Sequence, residues 1–527
     1  MSSSHCARPA GIAAVVALVW VSTACAQQSA EVEAAGSAGA TPAGAAATIT
    51  PEDMGARIAI IADDSMAGRD TPSPVLDATA EWIADQYVAF GLQPAGDDGT
   101  FFQRYPFPLR ALDTTGVHFG TLVDGENVML AYGEDYYVAA AAPFADRAMG
   151  HGSLVWVGRM EDGSWPSVEA ARGQVMVVSL PGSYDRDWRI ASGRALGSAQ
   201  DAGARALVVV LGEDFPEIAF RRLAELAGTP SRSLVDPDEI PVFYMRPAAA
   251  LAMLARGGVE LSSLLAEPGG SRTVPGVEAH FSADAVVVDD ATAPNVVAML
   301  RGSDPELADT YVVFSAHMDH VGVGTANAAG DSIYNGADDD ASGTSALVEM
   351  AQAFSLLEEA PLRSVVFLNV SGEEKGLLGS RWFTEHPTIP IDRVEANVNM
   401  DMIARNAPDS IVVIGQEYSS LGPLLLRVAA EHPELGLTVS EDLWPEERFF
   451  FRSDHFNFAR LEIPALFFFA GVHEDYHQPS DELEKLDLDK AARVARLAFW
   501  TAHAIADSPE APEWSPEGLE EVRALTR

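Results

Sequence analysis

The stretch YVVFSAHMDH at residues 311–320 decides the fold, because an apolar run leads directly into a histidine and an aspartate. The arrangement returns in SVVFLNVSGEE at 364–374 and in VEANVNMD at 394–401. Apolar runs of this length predict strands that are buried on both faces of a sheet. Each run ends in side chains that can bind a metal ion or transfer a proton, so we expect the chemistry at these strand ends.

Helical patterns separate these strands and continue towards the end of the chain. We predict helices at 343–359, 377–386, 421–431 and 488–506, and further strands at 411–414 and 463–469. Strands that alternate with helices from about residue 284 indicate an α/β domain. The predicted fold class is therefore α/β, with a mixed, mostly parallel sheet that carries helices on both faces.

Residues 113–282 differ from this pattern, because short alternating segments dominate them. We interpret them as a β-rich domain inserted between an N-terminal part (50–112) and the main part (283–509) of the α/β domain. Residues 510–527 are rich in Pro and Glu and are predicted to be a peripheral C-terminal tail. The elements predicted upstream of residue 284 are helices at 54–62, 76–91 and 191–202 and strands at 174–180 and 206–211.

The composition restricts both the partners and the metal ligands. The 527 residues include 77 acidic and 34 basic side chains, a formal net charge of -43 that disfavours nucleic acid and anionic lipid as partners. The only two cysteines in the sequence are Cys6 and Cys25, both in the leader. The mature chain is therefore expected to contain no disulfide, and any metal site must use His, Asp and Glu.

The first 26 residues have the pattern of a secretory signal, with Arg8 before an apolar run at 11–21. Two processing routes stay open: cleavage after the A-x-A sequence at 24–26, or a lipid on Cys25 through an imperfect lipobox at 22–25. Residues 27–49 are rich in small residues and predict a flexible linker. We expect an exported protein, whether periplasmic, secreted or an outer-membrane lipoprotein, and no later segment has the pattern of a membrane span.

Carboxylates and imidazoles gather at five strand ends or loops. Taken singly, each has a simple structural explanation: Asp338–Asp340 could cap a helix, and Glu373 and Glu374 could be solvated surface charge. Packing so many acidic groups into one cleft is unfavourable without a cation, so the whole set favours a metal site. His320 and His455 are expected to form hydrogen bonds rather than to bind metal.

These motifs resemble those of the co-catalytic dizinc aminopeptidases of clan MH, and they occur in the same order along the chain. The resemblance covers about 284–507, and 51–110 is similar to the first helical segment of that family. It implies a zinc-exopeptidase fold. The segments that carry it are SAHMDHVG at 315–322, GADDDASG at 336–343, GEEKGLLGS at 372–380, NMDMI at 399–403 and DYH at 475–477.

The resemblance implies two zinc ions per chain. His317 and Asp401 would hold one ion, Glu374 and His477 the other, and Asp339 would bridge both. His and carboxylate ligands suit zinc and leave open positions for water.

The resemblance also implies the residues that act on the substrate. Glu373 would be the general base, and Asp319 would orient His317. Tyr476 would donate a hydrogen bond to the developing oxyanion, and Arg452 would help to place the substrate.

Two of the ligand assignments have competitors. Asp338 or Asp340 could bridge instead of Asp339, although the family pattern favours the middle residue and implies a cis peptide bond after it. His473 competes with His477, which the neighbouring tyrosine favours.

The inserted region resembles a protease-associated domain, on GQVMVVSL at 173–180 and QDAGARALVVV at 200–210. Such a domain would shape or cover a substrate cleft, and the alternative is an inert spacer.

The predicted function is an aminopeptidase that acts on peptide substrates. The alternatives are a carboxypeptidase or a glutaminyl cyclase on the same site, or a binding ectodomain without activity. A carboxypeptidase would need a basic cluster to hold a terminal carboxylate. The sequence shows no such cluster, although Arg381 and Arg405 lie near the motifs. The sequence indicates no particular oligomeric state.

Overall fold

A computed structural model describes most of the chain. The described residues are 39–139, 144, 146–159, 168–180, 182, 184–235, 239–266 and 271–526. The predicted signal with Cys6 and Cys25, and the linker as far as residue 38, lie outside this range. The described residues form two sheets, each with its own hydrophobic core.

The helices are numbered here in chain order. Among the described residues, none of them is both long enough and apolar enough to cross a lipid bilayer. They are α1 (Pro42–Ala46), α2 (Pro51–Ile61), α3 (Pro74–Ala89), α4 (Arg186–Asp201), α5 (Glu217–Ala227), α6 (Pro247–Ala255), α7 (Leu261–Ala266), α8 (Gly343–Ser355), α9 (Leu378–Glu385), α10 (Leu421–Glu431), α11 (His455–Ala459), α12 (Leu488–Ala506) and α13 (Pro516–Thr526).

The strands fall into three groups along the chain. The first two are β1 (Gln93–Pro94) and β2 (Phe102–Pro106). The middle group is β3 (Leu109–Leu112), β4 (His118–Val123), β5 (Glu126–Leu130), β6 (Tyr136–Val138), β7 (Arg147–Arg159), β8 (Val175–Leu180), β9 (Ala206–Leu211), β10 (Ser231–Arg232), β11 (Val242–Met245) and β12 (Arg272–Asp289). The last group is β13 (Thr292–Leu300), β14 (Tyr311–His317), β15 (Ser364–Val370), β16 (Val394–Met400), β17 (Ser410–Ile414), β18 (Thr438–Ser440) and β19 (Ala465–Phe469).

The first sheet is built from the first and last groups of strands, in the order β1-β13-β15-β14-β16-β19-β17-β18, with β2 paired to β13. The four central strands β15, β14, β16 and β19 are parallel to one another. Antiparallel strands flank them, since β13 opposes β15 and β17 opposes β19. This arrangement confirms the predicted mixed, mostly parallel sheet.

Helices cover both faces of the first sheet, as predicted. Along β14, Val312 and Phe314 join a core that contains residues of α2, α3, α8 and α12. Val313 points the other way and joins a core with Phe383 of α9 and Phe458 of α11. Successive side chains of a strand point to opposite faces, so a strand that is covered on both sides is mostly apolar along its length.

The second sheet has the order β10-β3-β12-β7-β8-β9-β11-β6, with β4 paired to β12 and β5 paired to β4. Its strands β7, β8, β9 and β11 are parallel. The predicted bounds of the insert, 113–282, are too narrow for this sheet. Strand β3 begins at Leu109, and β12 continues to Asp289 because Ala285 pairs with Leu112 across the two strands. The resemblance to a protease-associated domain stays a prediction.

The linker prediction is wrong for residues 39–49. Helix α1 begins at Pro42, where the Thr41 hydroxyl accepts a hydrogen bond from the Gly44 amide. Ala45 and Ile49 are fully buried in the core of the first sheet. Small residues predict flexibility in isolation, but an alanine also fits where a core leaves little space.

The tail prediction also needs a correction, because residues 516–526 are not merely peripheral. They form α13, whose Val522 is 1% exposed and joins the core that contains Phe449 and Phe450.

Candidate metal centre and active site

The three central parallel strands end at the same edge of the first sheet. His317 is the last residue of β14, Asp401 follows β16, and Glu373 and Glu374 lie three and four residues after β15. The loop after β19 adds His477. Neighbouring parallel strands place their carboxyl ends together, so residues distant in sequence meet there.

The five predicted metal ligands come together at this edge. His317 Nε2 lies 3.3 Å from Asp339 Oδ1 and 3.6 Å from Asp401 Oδ1. His477 Nε2 lies 3.2 Å from Asp339 Oδ2 and 3.1 Å from Glu374 Oε2. The two oxygens of Asp339 therefore face two different groups of donors.

The loop before α8 carries Asp339 into the centre. Gly336 has a φ of 57°, and a Cβ at this position would come within 2.2 Å of the Asp339 carbonyl oxygen and 2.5 Å of the His320 ring. Only glycine fits this close approach without displacing either group. The peptide bond between Asp339 and Asp340 is cis, as the resemblance implied.

Asp340 is directed away from the donors and holds backbone amides. Its Oδ2 accepts a hydrogen bond from the His317 amide at 3.1 Å. Its Oδ1 accepts from the amides of Gly343 at 2.9 Å and Met402 at 3.2 Å. Asp340 thus ties the ends of β14 and β16 to the start of α8, which favours a structural role for it over bridging.

Asp338 and His473 form a separate pair. Asp338 Oδ1 accepts from the Ala404 amide at 2.8 Å, and Oδ2 lies 3.3 Å from His473 Nε2. Of the competing assignments, the geometry therefore favours Asp339 over its neighbours and His477 over His473.

The other two histidines differ in their surroundings. His320 is fully buried, with Nδ1 2.8 Å from Glu374 Oε1 and 3.7 Å from Asp339 Oδ2, so it adds a third imidazole to the centre. With Asp339 and Glu374 it forms a group that could also hold an ion. His455 instead packs against the rings of Phe450 and Phe467, and burial lowers its pKa to about 3.

The electrostatics of the centre are those of crowded acids. Burial raises the pKa of Glu373 well above its usual range, and the nearby Asp401 adds to this shift. Burial works against the charged form of His317, but Asp401 and Glu373 outweigh it and raise the pKa of the imidazole. Such crowding is unfavourable unless a cation balances the carboxylates.

The donor set fits zinc. Asp339 Oδ2 and Glu374 Oε1 are buried and have no hydrogen-bond partner within the described part of the chain. Their neighbours are imidazole nitrogens and further carboxylate oxygens, which are zinc ligands, and no thiolate is needed. His317, Asp339 and Asp401 also form a group whose ligand atoms lie within 4.8 Å of one another.

The residues predicted to act on the substrate line a small cavity of about 30 Å³ beside these donors. Glu373, Tyr476 and Arg452 all contribute to its wall. The Tyr476 ring stacks on His477 at 3.9 Å, and burial raises the pKa of its hydroxyl. The Arg452 guanidinium lies over the Phe449 ring, 4.6 Å from its centroid, so its charge is at the rim.

Asp319 lies beside both His317 and Glu373. Its carboxylate Oδ1 is 3.8 Å from His317 Nδ1, beyond hydrogen-bond distance, while its own carbonyl oxygen is at 3.2 Å. The carboxylate instead accepts from the Glu373 amide at 3.3 Å and from the Thr71 hydroxyl at 2.8 Å. It therefore orients the predicted base more directly than the predicted ligand.

Sequence reasoning missed Arg69, which is fully buried behind the centre. Its guanidinium donates to the carbonyl oxygens of Met318 at 2.9 Å, Asn335 at 2.6 Å and Gly336 at 3.1 Å. It thus joins the loop after β14 to the loop that carries Asp339. No local pattern marks it, since the two loops that it joins lie about 250 residues or more away from it in sequence.

The family comparison agrees with this centre. Residues 295–502 match the profile described as Peptidase family M28. These residues, about two fifths of the chain, are similar to family M28 peptidases. The matched range contains His317, Asp339, Glu373, Glu374, Asp401 and His477.

Similar proteins include two fungal ones, each described as a probable zinc metalloprotease. The one from Pyrenophora teres f. teres is 26% identical over 295 residues, which are 48% of this chain and 60% of that protein. The one from Pyricularia oryzae is 26% identical over 389 residues, or 66% and 71%. This chain thus spans about three fifths of the length of the first relative.

Among solved structures, this chain is similar to the aminopeptidase from Aneurinibacillus sp. strain AM-1. That match has 20% identity and a TM-score of 0.45, and it covers 89% of this chain and 97% of the other.

Proposed function

We propose that the chain is an aminopeptidase that uses two zinc ions to remove residues from the amino terminus of peptides. The observation that carries the proposal is the position of Asp339. Its Oδ1 lies 3.3 Å from His317 Nε2 and its Oδ2 lies 3.2 Å from His477 Nε2. A carboxylate with one donor group at each oxygen suits a bridge between two ions.

The ligand sets follow from these distances. His317 and Asp401 would hold one zinc ion, and Glu374 and His477 the other. Bound there, zinc would polarise the scissile carbonyl and lower the pKa of water.

Glu373 is the general base in this proposal. Its carboxyl lines the same cavity as His317, Asp339 and Asp401, and its amide is tethered to Asp319. The carboxylate takes a proton from the attacking water as the new C–O bond forms. It then returns the proton to the nitrogen of the leaving peptide as the C–N bond breaks.

The lining of the cavity supports a preference of the enzyme for substrates with a free amino terminus. Glu373 and Asp401 provide negative charge beside the donors, where a free ammonium group is attracted. Part of the wall is apolar, with Met402, Phe449 and Phe467, which favours an uncharged side chain beside it. In the same scheme Tyr476 donates to the oxyanion and Arg452 helps to place the substrate at the rim.

The test combines metal analysis with blocked substrates. We expect about two zinc ions per chain, hydrolysis of leucine p-nitroanilide, and no hydrolysis of its N-acetyl derivative. The N-acetyl group removes the ammonium but leaves the scissile bond unchanged, which makes it a matched control. Cleavage of N-acetylated peptides only when their carboxyl terminus is free would instead indicate a carboxypeptidase, and a protein without zinc or turnover would indicate a binding ectodomain.

We also propose export through the leader at 1–26, because its pattern is that of a secretory signal. Mass spectrometry of the mature amino terminus distinguishes cleavage near Gln27 from a lipid on Cys25.

A further inference from the structure

A second cavity, of about 750 Å³, lies where the inserted sheet meets the peptidase domain. Its eleven lining residues include three cations, Arg232, Lys375 and Arg381, and two acids, Asp70 and Glu239. The whole chain has the opposite balance, with 34 basic against 77 acidic residues. A local excess of positive charge in so acidic a protein marks the place where an anionic group is best accommodated.

The three cations are held in position by neighbours. Arg232 donates from Nη1 to the Phe107 carbonyl at 2.9 Å and from Nη2 to Asp289 at 2.6 Å. Lys375 Nζ lies 2.6 Å from Asp70 Oδ1. The side chains of Arg232 and Lys375 keep 28% and 34% of their surface exposed, so both can also reach a ligand in the cavity.

Arg381 has the greatest capacity for a new partner. Only its Nε donates to a carboxylate, that of Glu385 at 3.0 Å. Within the described residues, its two Nη groups donate to no protein acceptor, and 42% of the side chain is exposed. A guanidinium with two free N–H groups can bind a carboxylate through two parallel hydrogen bonds.

This cationic cavity adjoins the proposed catalytic centre. Thr71 lines it, donates to Asp319 at 2.8 Å and accepts from the Gly372 amide at 3.1 Å. Lys375 follows Glu373 by two residues, so their Cα atoms are at most about 7 Å apart. The small cavity beside the metal donors, which Met402 and Phe449 also line, shares none of these residues. The centre therefore adjoins two chemically different cavities.

We propose that the cationic cavity binds the carboxylate at the far end of short peptide substrates, so that the enzyme prefers peptides of about two to four residues with a free carboxyl terminus. The inference rests on the proposed function. In it the first residue of the peptide lies at the cavity lined by Met402 and Phe449, and the remaining residues extend from the catalytic centre towards the cationic cavity. An extended tripeptide reaches about 7 Å beyond its first residue, so its carboxylate stays close to the catalytic centre that the cationic cavity adjoins.

The inference also gives the inserted domain a role in catalysis. Arg232 is the one of the three cations that the second sheet contributes, at the end of β10. The domain then completes a substrate-binding surface, and it selects substrates by length because a longer peptide carries its carboxylate past the cations.

The test compares Leu-Gly-Gly with its carboxyl-terminal amide. For the unmodified enzyme we expect kcat/KM to be about tenfold higher for the free acid, mainly through a lower KM. Arg381→Gln is expected to reduce this ratio to between one and three. Lys375→Gln provides a second variant, in case the first alters folding.

Arg427→Gln is the matched control, because Arg427 also pairs with a glutamate four residues later on an exposed helix surface but does not line the cavity. It should leave the acid-to-amide ratio unchanged. Equal kcat/KM for acid and amide in the unmodified enzyme, or an unchanged ratio in both cavity variants, would overturn the inference.

The proposed function has its own readout, since leucine p-nitroanilide has no carboxylate. If the enzyme hydrolyses leucine p-nitroanilide but has the same kcat/KM for Leu-Gly-Gly and its amide, only the cavity assignment is refuted. Calorimetry on the zinc-loaded Glu373→Gln protein measures binding of the acid and the amide without turnover. Tighter binding of the acid without arylamide hydrolysis would refute the aminopeptidase and keep the carboxylate site.

Discussion

The two sheets have the same local design but differ in the residues at the carboxyl ends of their parallel strands. In the first sheet, β14, β15 and β16 lead to His317, Glu373 and Asp401. In the second, β8, β9 and β11 end in apolar residues, and the cavity of about 440 Å³ at that edge is lined largely by apolar groups such as Phe215 and Leu251. The chemistry therefore belongs to the side chains at the strand ends and not to the architecture.

Charge is also arranged differently in the two sheets. Beside the second sheet, Arg246 pairs with Glu217 at 2.5 Å and lies over the Phe220 ring, so the charges are balanced within the protein. At the centre of the first sheet, Asp339 Oδ2 and Glu374 Oε1 are buried and have no hydrogen-bond partner among the described residues. Only the arrangement in the first sheet calls for an added cation, and three experiments test this contrast.

The largest effect is expected for Asp339→Asn. The change keeps the volume of the side chain but removes its charge and one of its two strong ligand oxygens, and both proposed ions depend on it. We expect zinc content to fall from about two to below one per chain and kcat/KM on leucine p-nitroanilide to fall by at least about a thousandfold. Metal analysis and kinetics on the same sample measure both.

Glu213→Gln is the matched control, because Glu213 is a carboxylate at the strand-end cavity of the second sheet. It should alter neither zinc content nor turnover. If Asp339→Asn keeps two ions, or if Glu213→Gln loses one, the contrast between the two sheets is wrong.

Glu373→Gln is expected to affect activity alone. The amide cannot accept a proton, and general acid–base groups typically contribute about 10² to 10⁴ in rate. We expect kcat to fall by about a thousandfold while zinc content stays at that of the unmodified protein. A variant that retains a tenth or more of the activity would show that another group is the base.

The strands of both sheets could be predicted because apolar residues dominate most of them. The bounds 206–211, 364–370 and 394–400 agree with the structure, although the last two strands also bury polar side chains such as Asn369 and Asn397. Helix ends were less accurate. The helix predicted at 54–62 begins at Pro51, because Thr50 caps it and proline is well tolerated in the first turn.

The donors were predictable because each directly follows a recognisable strand or belongs to a distinctive loop motif. Their supports were not. Arg69 and Thr71 act on partners about 250 to 300 residues away, and such contacts leave no periodicity in the sequence. The cationic cavity was missed for the same reason, because Arg232 and Arg381 come from distant parts of the chain.

The smallest predicted effect concerns the stability of the fold at acidic pH. It compares a histidine beside the first sheet with a histidine in the second. His455, beside the first sheet, is fully buried between aromatic rings, and burial lowers its pKa from 6.5 to about 3. In the second sheet His151 is exposed. Protons therefore bind the unfolded chain at His455 below pH 6.5, whereas the folded chain stays unprotonated there until about pH 3.

His455 should thus stabilise the fold fully above pH 6.5 and progressively less as the pH falls towards 3. His455→Phe keeps an aromatic ring against Phe467 and removes the titration. Between pH 7 and pH 5, the unmodified protein should lose about 2 kcal/mol more of its unfolding free energy than this variant, measured by urea unfolding. His151→Phe, which replaces an exposed histidine of the second sheet, is the control and should show no such difference. Parallel pH profiles for the unmodified protein and His455→Phe would mean that this imidazole is protonated in the folded chain.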